Sequence, residues 1–432
     1  MLNCQGQGNR KKQRRRRKHR KAKSIKRSDS SSGNPLMIFM LDGMRWDYVS
    51  RLQNRMPGFS RFLSEGVQTE YVETIFPVVS YAAWTTLSTG VYPETHGIMG
   101  NYMVDLEEDP TGNDIFRLGD RSTTTKAKWW QNSEPIWITA TRQKKRTFLR
   151  YWSRCDVPFN SLTPEECSGY SSAGGVQSIN KTLSVGLEKL RDGFDLVMLY
   201  GEEIDNLGHK YGPDSYEMQT ALLELDAVFM EFLEGLDKYP RLRKKLNIII
   251  VSDHGMTDVR PSRGVTYLRL DDYIDKRDIL RIVEDGSFMN IQPIKSSVNY
   301  VYEQLKQIPG VDVYKKADIP ENLHYKNNRI VLDILLVSRV GYIVVGLQSA
   351  KQIPRPHPQQ SYRIGVHGYT PALSDIRAIF YARGPAFKKN EVFPPINMVD
   401  IYQLYTHCLG IAPQPNNGTW TNVVGMLAPP TR

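Results

Sequence analysis

Six residues of two chemical types stand at comparable places along the chain. Asp42-Gly43 follows the apolar run Leu36-Met-Ile-Phe-Met-Leu41. Asp205 and His209 follow Asp195-Leu-Val-Met-Leu-Tyr200. Asp253-His254 follows Asn247-Ile-Ile-Ile-Val251, and His367-Gly368 precedes Ala378-Ile-Phe-Tyr381. Taken singly, each has a plainer reading. A lone Asp after a strand is an Asx turn or a helix cap. An Asp four residues before a His is a surface pair on one helical face, and an adjacent Asp-His is a turn. Together they are three carboxylates and three imidazoles, which chance would scatter over both ends of a sheet. Mixed His and carboxylate donors suit Zn2+, and six donors suit two ions rather than one. Two ions about 4 Å apart are a standard device for phosphoryl transfer, clamping the attacking and leaving oxygens.

Such a site needs a nucleophile. The segment from Val78 to Asn101 is rich in hydroxyls, and Ser80 stands where a helix would open. A serine hydroxyl at the positive end of a helix is favoured as an alkoxide and lies where phosphate binds. Its plainer reading is a helix N-cap. A triad hydrolase is disfavoured, because no Gly-x-Ser-x-Gly surrounds Ser80.

The elements that must position these residues are legible as alternating patterns. The four apolar runs read as buried strands. Between the second and third, Met218, Leu222, Leu225, Phe229, Phe232 and Leu236 recur at helical spacing. Strand–helix–strand alternation predicts an α/β fold, a mostly parallel sheet with helices on both faces. Ligands bind beyond the carboxyl ends of such strands, which is where the six residues fall. Residues 262–362 behave differently. They mix short strand-like runs (Asn290-Ile-Gln, Ile330-Val-Leu, Tyr342-Ile-Val-Val) with charged helices and the Pro-rich loop Ile353-Pro-Arg-Pro-His-Pro. They read as an inserted cap. No repeat of fixed period is visible.

Composition sets the outer limits. With 40% hydrophobic and 24% charged residues among 432, the chain is neither wholly disordered nor fibrous. The net charge of +11 is unevenly placed. Thirteen of the 57 Lys and Arg fall in residues 1–35 with one acid, Asp29, leaving 44 basic against 45 acidic residues in the rest. Residues 1–35 therefore read as a disordered basic tail, suited to a polyanion or an anionic membrane surface. The remainder is neutral, so the high isoelectric point does not make the whole chain a nucleic-acid binder. The longest apolar run, Leu36 to Leu41, is far short of the ~20 residues that span a bilayer. It also runs straight into Asp42, so it cannot serve as a cleaved leader. Neither a signal peptide nor an anchor tail is expected in this sequence. Of Cys4, Cys155, Cys167 and Cys408, none forms a Cys-x-x-Cys. Cys155 and Cys167 flank a Pro-containing loop and suit either a disulfide or two buried thiols. Asn180 and Asn417 open Asn-x-Thr glycosylation signals.

The resemblance becomes specific when the motifs are set in order. They are Asp42-Gly43, Ser80 followed by Thr89-Gly90 and Tyr92-Pro-Glu-Thr-His96-Gly97-Ile98, Asp205-x3-His209-x-Tyr211-Gly212-Pro213, Ser252-Asp-His-Gly-Met256, and His367-Gly368. This set resembles the ectonucleotide pyrophosphatase/phosphodiesterase family of the alkaline phosphatase superfamily over residues 36–428. The resemblance implies an alkaline-phosphatase-like α/β/α sandwich carrying two zinc ions. One would be held by Asp205, His209 and His367. The other would be held by Asp42, Asp253 and His254, with Ser80 as nucleophile and further ligand. Asn101 would bind phosphate, and a phospho-serine intermediate would be hydrolysed by water. The family usually carries Pro-Asn two and three residues after the nucleophile. This chain has Ala82-Ala83, so the substrate-side wall is expected to differ.

Within the family, the sequence is most similar to the choline-specific glycerophosphodiesterase branch. The similarity rests on Ser80-Tyr81, Gly100-Asn-Tyr-Met103, Trp129-Trp-Gln-Asn-Ser-Glu-Pro-Ile-Trp137, Tyr151-Trp152 with Cys155, and Pro415-Asn-Asn-Gly-Thr-Trp420. It implies glycerophosphocholine or lysophosphatidylcholine as substrate, split to phosphocholine, with Tyr81 and Tyr200 in the substrate site. Aromatic faces recognise quaternary ammonium groups, and no Lys/Arg-rich stretch adjoins Ser80 to hold further phosphates. A nucleotide pyrophosphatase is the alternative on the same fold. A catalytically silent, polyanion-binding relative is a third reading, opposed by the intact ligand set. Family membership implies a secreted or cell-surface protein.

Overall fold

The computed structural model describes residues 33–170, 174–356 and 363–429. Residues 1–32 of the basic tail and part of the Pro-rich loop lie outside the described residues. At the centre is the strand Leu36–Leu41, whose six apolar side chains are all at most 1% exposed. A strand apolar at every position needs cover on both faces, and this one has it. Leu36, Ile38 and Met40 join one core with the helices Ser80–Thr89, Ile136–Arg142 and Ile401–Leu409. Met37, Phe39 and Leu41 join a second core with the helices Pro57–Ser64, Val176–Arg191 and Tyr216–Asp237. Each fully buried side chain of this kind contributes roughly 1.5–3 kcal/mol. The product is an α/β/α sandwich.

The sheet has eight strands. Leu36–Leu41 pairs in parallel with Leu196–Gly201 on one side and Asn247–Val251 on the other. Thr147–Arg150 and Glu166–Ser168 extend it in parallel beyond the first neighbour. On the other flank Phe380–Arg383 runs antiparallel, with Phe380 opposite Val251. Gly66–Thr69 and Glu391–Phe393 complete that side. The fourth expected strand is thus reversed and shifted from 378–381 to 380–383. The reversal explains how His367 reaches the site. The amino end of an antiparallel strand lies at the carboxyl edge of its parallel neighbours, so a residue entering it arrives where the other ligands leave.

Residues between Ile279 and Ile353 build a second, separate five-stranded sheet. Its order is Val311–Lys315, Ile334–Ser338, Phe288–Pro293, Ile279–Val283, Gln352–Ile353. It packs with the helix Val298–Leu305 on its own apolar core. Asn290-Ile-Gln lies within one of its strands, and Tyr342–Val345 pairs in parallel with Thr266–Arg269. The run Ile330-Val-Leu is not a strand. It is the buried approach to Ile334–Ser338. Cys155 and Cys167 are joined in a disulfide, Cα atoms 5.8 Å apart, which ties Glu166–Ser168 back to the preceding loop. Among the described residues no helix is long and apolar enough to cross a membrane.

Candidate functional site

The carboxyl edge of the main sheet gathers all six ligand candidates. Asp42 leaves the central strand through Gly43, whose backbone is left-handed (φ 69°) and whose missing Cβ would lie 2.7 Å from the Asp205 Cα. The turn therefore needs glycine twice over, for conformation and for the close approach of the next segment. Asp205 and His209 lie one turn apart on the helix Glu203–Tyr211, Nε2 to Oδ2 3.4 Å. Asp253 and His254 follow the strand Asn247–Val251 and are fully buried.

Two groups of side chains place their ligand atoms within 4.8 Å of one another. They are Asp42, Asp253 and His254, and Asp205, His254 and His367. The His254 Nε2 lies 3.5 Å from Asp42 Oδ1, and the His367 Nε2 3.7 Å from Asp205 Oδ1. The rings of His254 and His367 stack at 3.6 Å, so the groups adjoin. His209 reaches the second group through Asp205. Ser80, the first residue of its helix, places Oγ 3.3 Å from the His254 Nε2.

Contacts behind the ligands aim them. All three imidazoles meet a backbone carbonyl at Nδ1: His209 to Gly365 at 2.8 Å, His254 to Gly255 at 3.0 Å, His367 to Val78 at 2.8 Å. A carbonyl only accepts, so Nδ1 carries a proton and Nε2 is the ring nitrogen turned to the centre. That is the arrangement a metal ligand requires. Asp253 Oδ1 accepts from the backbone N–H of Gly43 and of His254, and Oδ2 accepts from the Trp84 indole at 2.7 Å. Asp42 Oδ2 accepts from the Tyr200 hydroxyl at 2.5 Å. Asp42 Oδ1 and Asp205 Oδ1 are buried without a hydrogen-bond partner.

Burial, reinforced by the Asp253 and Asp205 charges, pushes the Asp42 carboxyl well above its ordinary range, and burial raises Asp253 too. Burial lowers His367, with His254 and His209 adding to the effect, and burial lowers His209. Crowded carboxylates, orphaned buried oxygens and imidazoles with Nε2 turned inward are the donor set of a divalent cation site.

Asn101 stands on the turn ahead of the strand Tyr102–Val104. Its Oδ1 accepts from the Tyr81 N–H at 3.0 Å. The amide nitrogen is left as the group offered to a ligand. Asn101, Ser80, Asp205, His209 and His367 are among the residues lining a cavity of about 370 Å3.

Tyr81 and Tyr200, expected against substrate, are not among the residues lining this cavity. Tyr81 is 8% exposed and packs on Trp84 and Phe116, each with ring centroids 5.0 Å away. Successive helical residues point about 100° apart, so with Ser80 facing the cavity its neighbour turns into the core. Tyr200 is spent on Asp42. Ala82 and Ala83 are wholly buried and form no substrate wall. Of the glycosylation candidates, Asn180 is half-buried within the helix Val176–Arg191 and donates its amide to Glu231 at 3.0 Å, while its partner Thr182 is buried. Asn417 lies exposed in a loop, its Oδ1 accepting from the Tyr92 N–H.

The far walls of the cavity were not anticipated. They hold Tyr102, Tyr267, Phe288, Ile343 and Val366, the acids Glu284 and Asp285, and Arg355 and Arg363. Folding thus brings two arginines to the site from more than 270 residues beyond Ser80, where the absence of a basic stretch beside Ser80 predicted none. The signal that existed was Glu284-Asp285-Gly286 at the end of Ile279–Val283, an acidic strand end like that of Asp42-Gly43.

Comparison with known proteins bears on this geometry. The family model described as type I phosphodiesterase/nucleotide pyrophosphatase matches residues 36–370. A bis(5'-adenosyl)-triphosphatase of Xenopus laevis is 33% identical over 402 residues, 92% of this chain and 83% of its own length. The human ectonucleotide pyrophosphatase/phosphodiesterase family member 5 is 32% identical over 394 residues, 91% and 78% of the two chains. The solved structure of the murine member 5 superposes with a TM-score of 0.81 at 30% identity, covering 91% of this chain and 100% of that one. An inactive variant of the murine protein has been solved in complex with AMP, again with a TM-score of 0.81.

Proposed function

This chain belongs to the type I phosphodiesterase/nucleotide pyrophosphatase family, and from that premise we propose that it hydrolyses nucleotide phosphodiester or phosphoanhydride bonds through Ser80. The carrying observation is that Ser80, Asn101, Asp205, His209 and His367 line one cavity large enough for a nucleotide-sized group, with Asp42, Asp253 and His254 buried beside them. Two divalent cations, zinc by the donor types, would be held by Asp42, Asp253, His254 with Ser80, and by Asp205, His209, His367. When bound they supply charge neutralisation and favour the ionised hydroxyl.

The residues divide the remaining work. Ser80 Oγ attacks phosphorus in line. The Oγ–P bond forms as the bond to the leaving oxygen breaks, and water then cleaves the phospho-serine. The amino end of the helix Ser80–Thr89 favours negative charge at Ser80. The Asn101 amide donates to a nonbridging oxygen as charge grows there. Arg355 and Arg363 provide positive charge for a second phosphate or a phosphorylated leaving group.

The nucleotide reading replaces the choline reading as the better supported one. The relatives named above carry nucleotide chemistry in their names, and Tyr81 and Tyr200 do not form a cage. Tyr102, Tyr267 and Phe288 do lie beside Glu284 and Asp285, which makes a choline ester the right competing substrate. Para-nitrophenyl thymidine monophosphate and para-nitrophenyl phosphocholine should be compared on one preparation. A higher kcat/KM is expected on the nucleotide ester, and the reverse order would restore the choline assignment. We read residues 36–428 as the catalytic domain, with 262–362 as its cap. The disulfide suits an oxidising, extracellular setting. The basic tail, residues 1–35, remains a candidate for polyanion or anionic-membrane contact.

A further inference from the structure

The turn that carries Asn101 is gripped from the second sheet. Glu284 follows the strand Ile279–Val283, is 6% exposed, and holds a left-handed backbone (φ 71°) that side chains other than glycine rarely adopt. Its main chain is fixed on both sides. The N–H donates to the Ile353 carbonyl at 2.9 Å, and its own carbonyl accepts from the Gln352 amide. Its carboxyl crosses to the turn that opens the two-stranded hairpin of Tyr102–Val104 with Ile115–Arg117. Oε1 accepts from the Tyr102 N–H at 2.8 Å, and the adjacent Asn101 N–H favours the ionised carboxyl.

Gly100 makes the approach possible. A Cβ there would stand 2.4 Å from Glu284 Oε1. The same turn is held once more from this side, where the Tyr325 hydroxyl donates to the Met99 carbonyl at 2.9 Å.

We propose that Glu284 is a positioning residue for phosphate binding: by clamping the peptide that joins Asn101 to Tyr102 it presents the Asn101 side-chain amide to the phosphoryl group. The proposal rests on Asn101 having that role. Two independent fixings define the amide's direction, the Tyr81 N–H on its Oδ1 and the Glu284 carboxyl on its main chain. Loss of the second lets the turn drift, and a donor displaced by about 1 Å from a developing charge loses most of its effect on the rate. Ground-state affinity, shared with the remaining cavity walls, changes less. A left-handed backbone and a buried carboxyl at a residue that touches no metal-ligand candidate fit such a role.

The test is a double-mutant cycle on bis(para-nitrophenyl) phosphate, a substrate without a base or choline group. E284A is expected to lower kcat about tenfold while KM moves less than about threefold. In the N101A background, E284A should cost less than about twofold, because the two act as one unit. E284Q keeps an acceptor and should recover much of kcat. If E284A folds poorly, G100A supplies a second route: its methyl displaces the carboxyl and should lower kcat in the wild type but not beside E284A. Additive losses of Glu284 and Asn101, a change in KM alone, or an unchanged kcat in E284A and G100A would overturn the positioning role. N101A at wild-type kcat would instead remove the phosphate role of Asn101, and this proposal with it.

Discussion

The two sides of the cavity are built on different principles. On the sandwich side, each functional side chain sits at the end of a strand or the start of a helix and is pinned by the main chain behind it. The three Nδ1 contacts and the N–H groups on Asp253 are of this kind. On the other side, Glu284 and Asp285 leave the edge of a smaller sheet, while Arg355 and Arg363 stand exposed near the opening. Groups that must hold charged atoms to within tenths of an ångström need rigid elements. Groups that select among substrates tolerate looser ones. On our reading the first side does the chemistry and the exposed arginines of the second select among substrates, while Glu284 is the group of the second side that serves the first.

The sharpest way to break that division is on the sandwich side. S80A is expected to lower kcat by several orders of magnitude, with an unchanged Tm, since only a hydroxyl is lost from a helix start. Retained turnover in a folded S80A would reduce Ser80 to a cap. Prolonged chelation should also abolish turnover. It should lower Tm as well, because Asp42, Asp253 and Asp205 then face one another without a cation. An enzyme fully active and equally stable with no metal bound would end the two-cation reading.

Asn101 lies on the seam. N101A is expected to cost about 10²-fold in kcat if its amide donates to charge that develops in the transition state. A loss confined to KM would reassign it to ground-state binding.

The comparison also explains what could be read from the chain in advance. Asp42, Asp253-His254 and the Asp205/His209 pair are legible because strand ends and one-turn spacings are local features. His367 reaches the same edge for a reason that the run Ala378–Tyr381 does not display, since the strand after it runs antiparallel. Tyr81 misled because an aromatic beside a nucleophile resembles a binding group, while the helix Ser80–Thr89 is buried at every residue. No spacing rule joins Glu284 to Tyr102 across 182 residues, and none brings Arg363 to Ser80. Those placements belong to tertiary packing.

On the second side the expected effects are smaller and substrate-dependent. R363A should lower kcat/KM on a dinucleoside triphosphate about tenfold, while that on para-nitrophenyl thymidine monophosphate falls less than about threefold. An arginine gripping one phosphate oxygen contributes at the scale of a charge-assisted hydrogen bond, about 1.5–3 kcal/mol when well desolvated and less when exposed. Equal losses on both substrates would place Arg363 at the reacting phosphate and blur the division.

The smallest effect concerns Glu284 and stability. Burial raises its carboxyl to about 8, against an ordinary 4.5, with Asp285 adding to the rise and the N–H groups of Tyr102 and Asn101 and the charge of Arg363 opposing it. At neutral pH the folded protein therefore holds this group protonated, whereas the unfolded chain releases the proton above its ordinary value. A group raised in the folded state contributes stability that is fully present below the unfolded pKa and is lost as pH rises through the folded one. Wild-type Tm should accordingly fall relative to E284Q between pH 4.5 and about 8, then run parallel to it. Comparing the two proteins, rather than following one, cancels the titration of the metal ligands and much of that of Asp285. Tm measured for both from pH 4 to 9 is the check. A gap that widens in the opposite direction would mean that Glu284 is ionised in the folded state and that the Asn101 turn is held by a charge, so the two sides of the cavity would be coupled electrostatically as well as by packing.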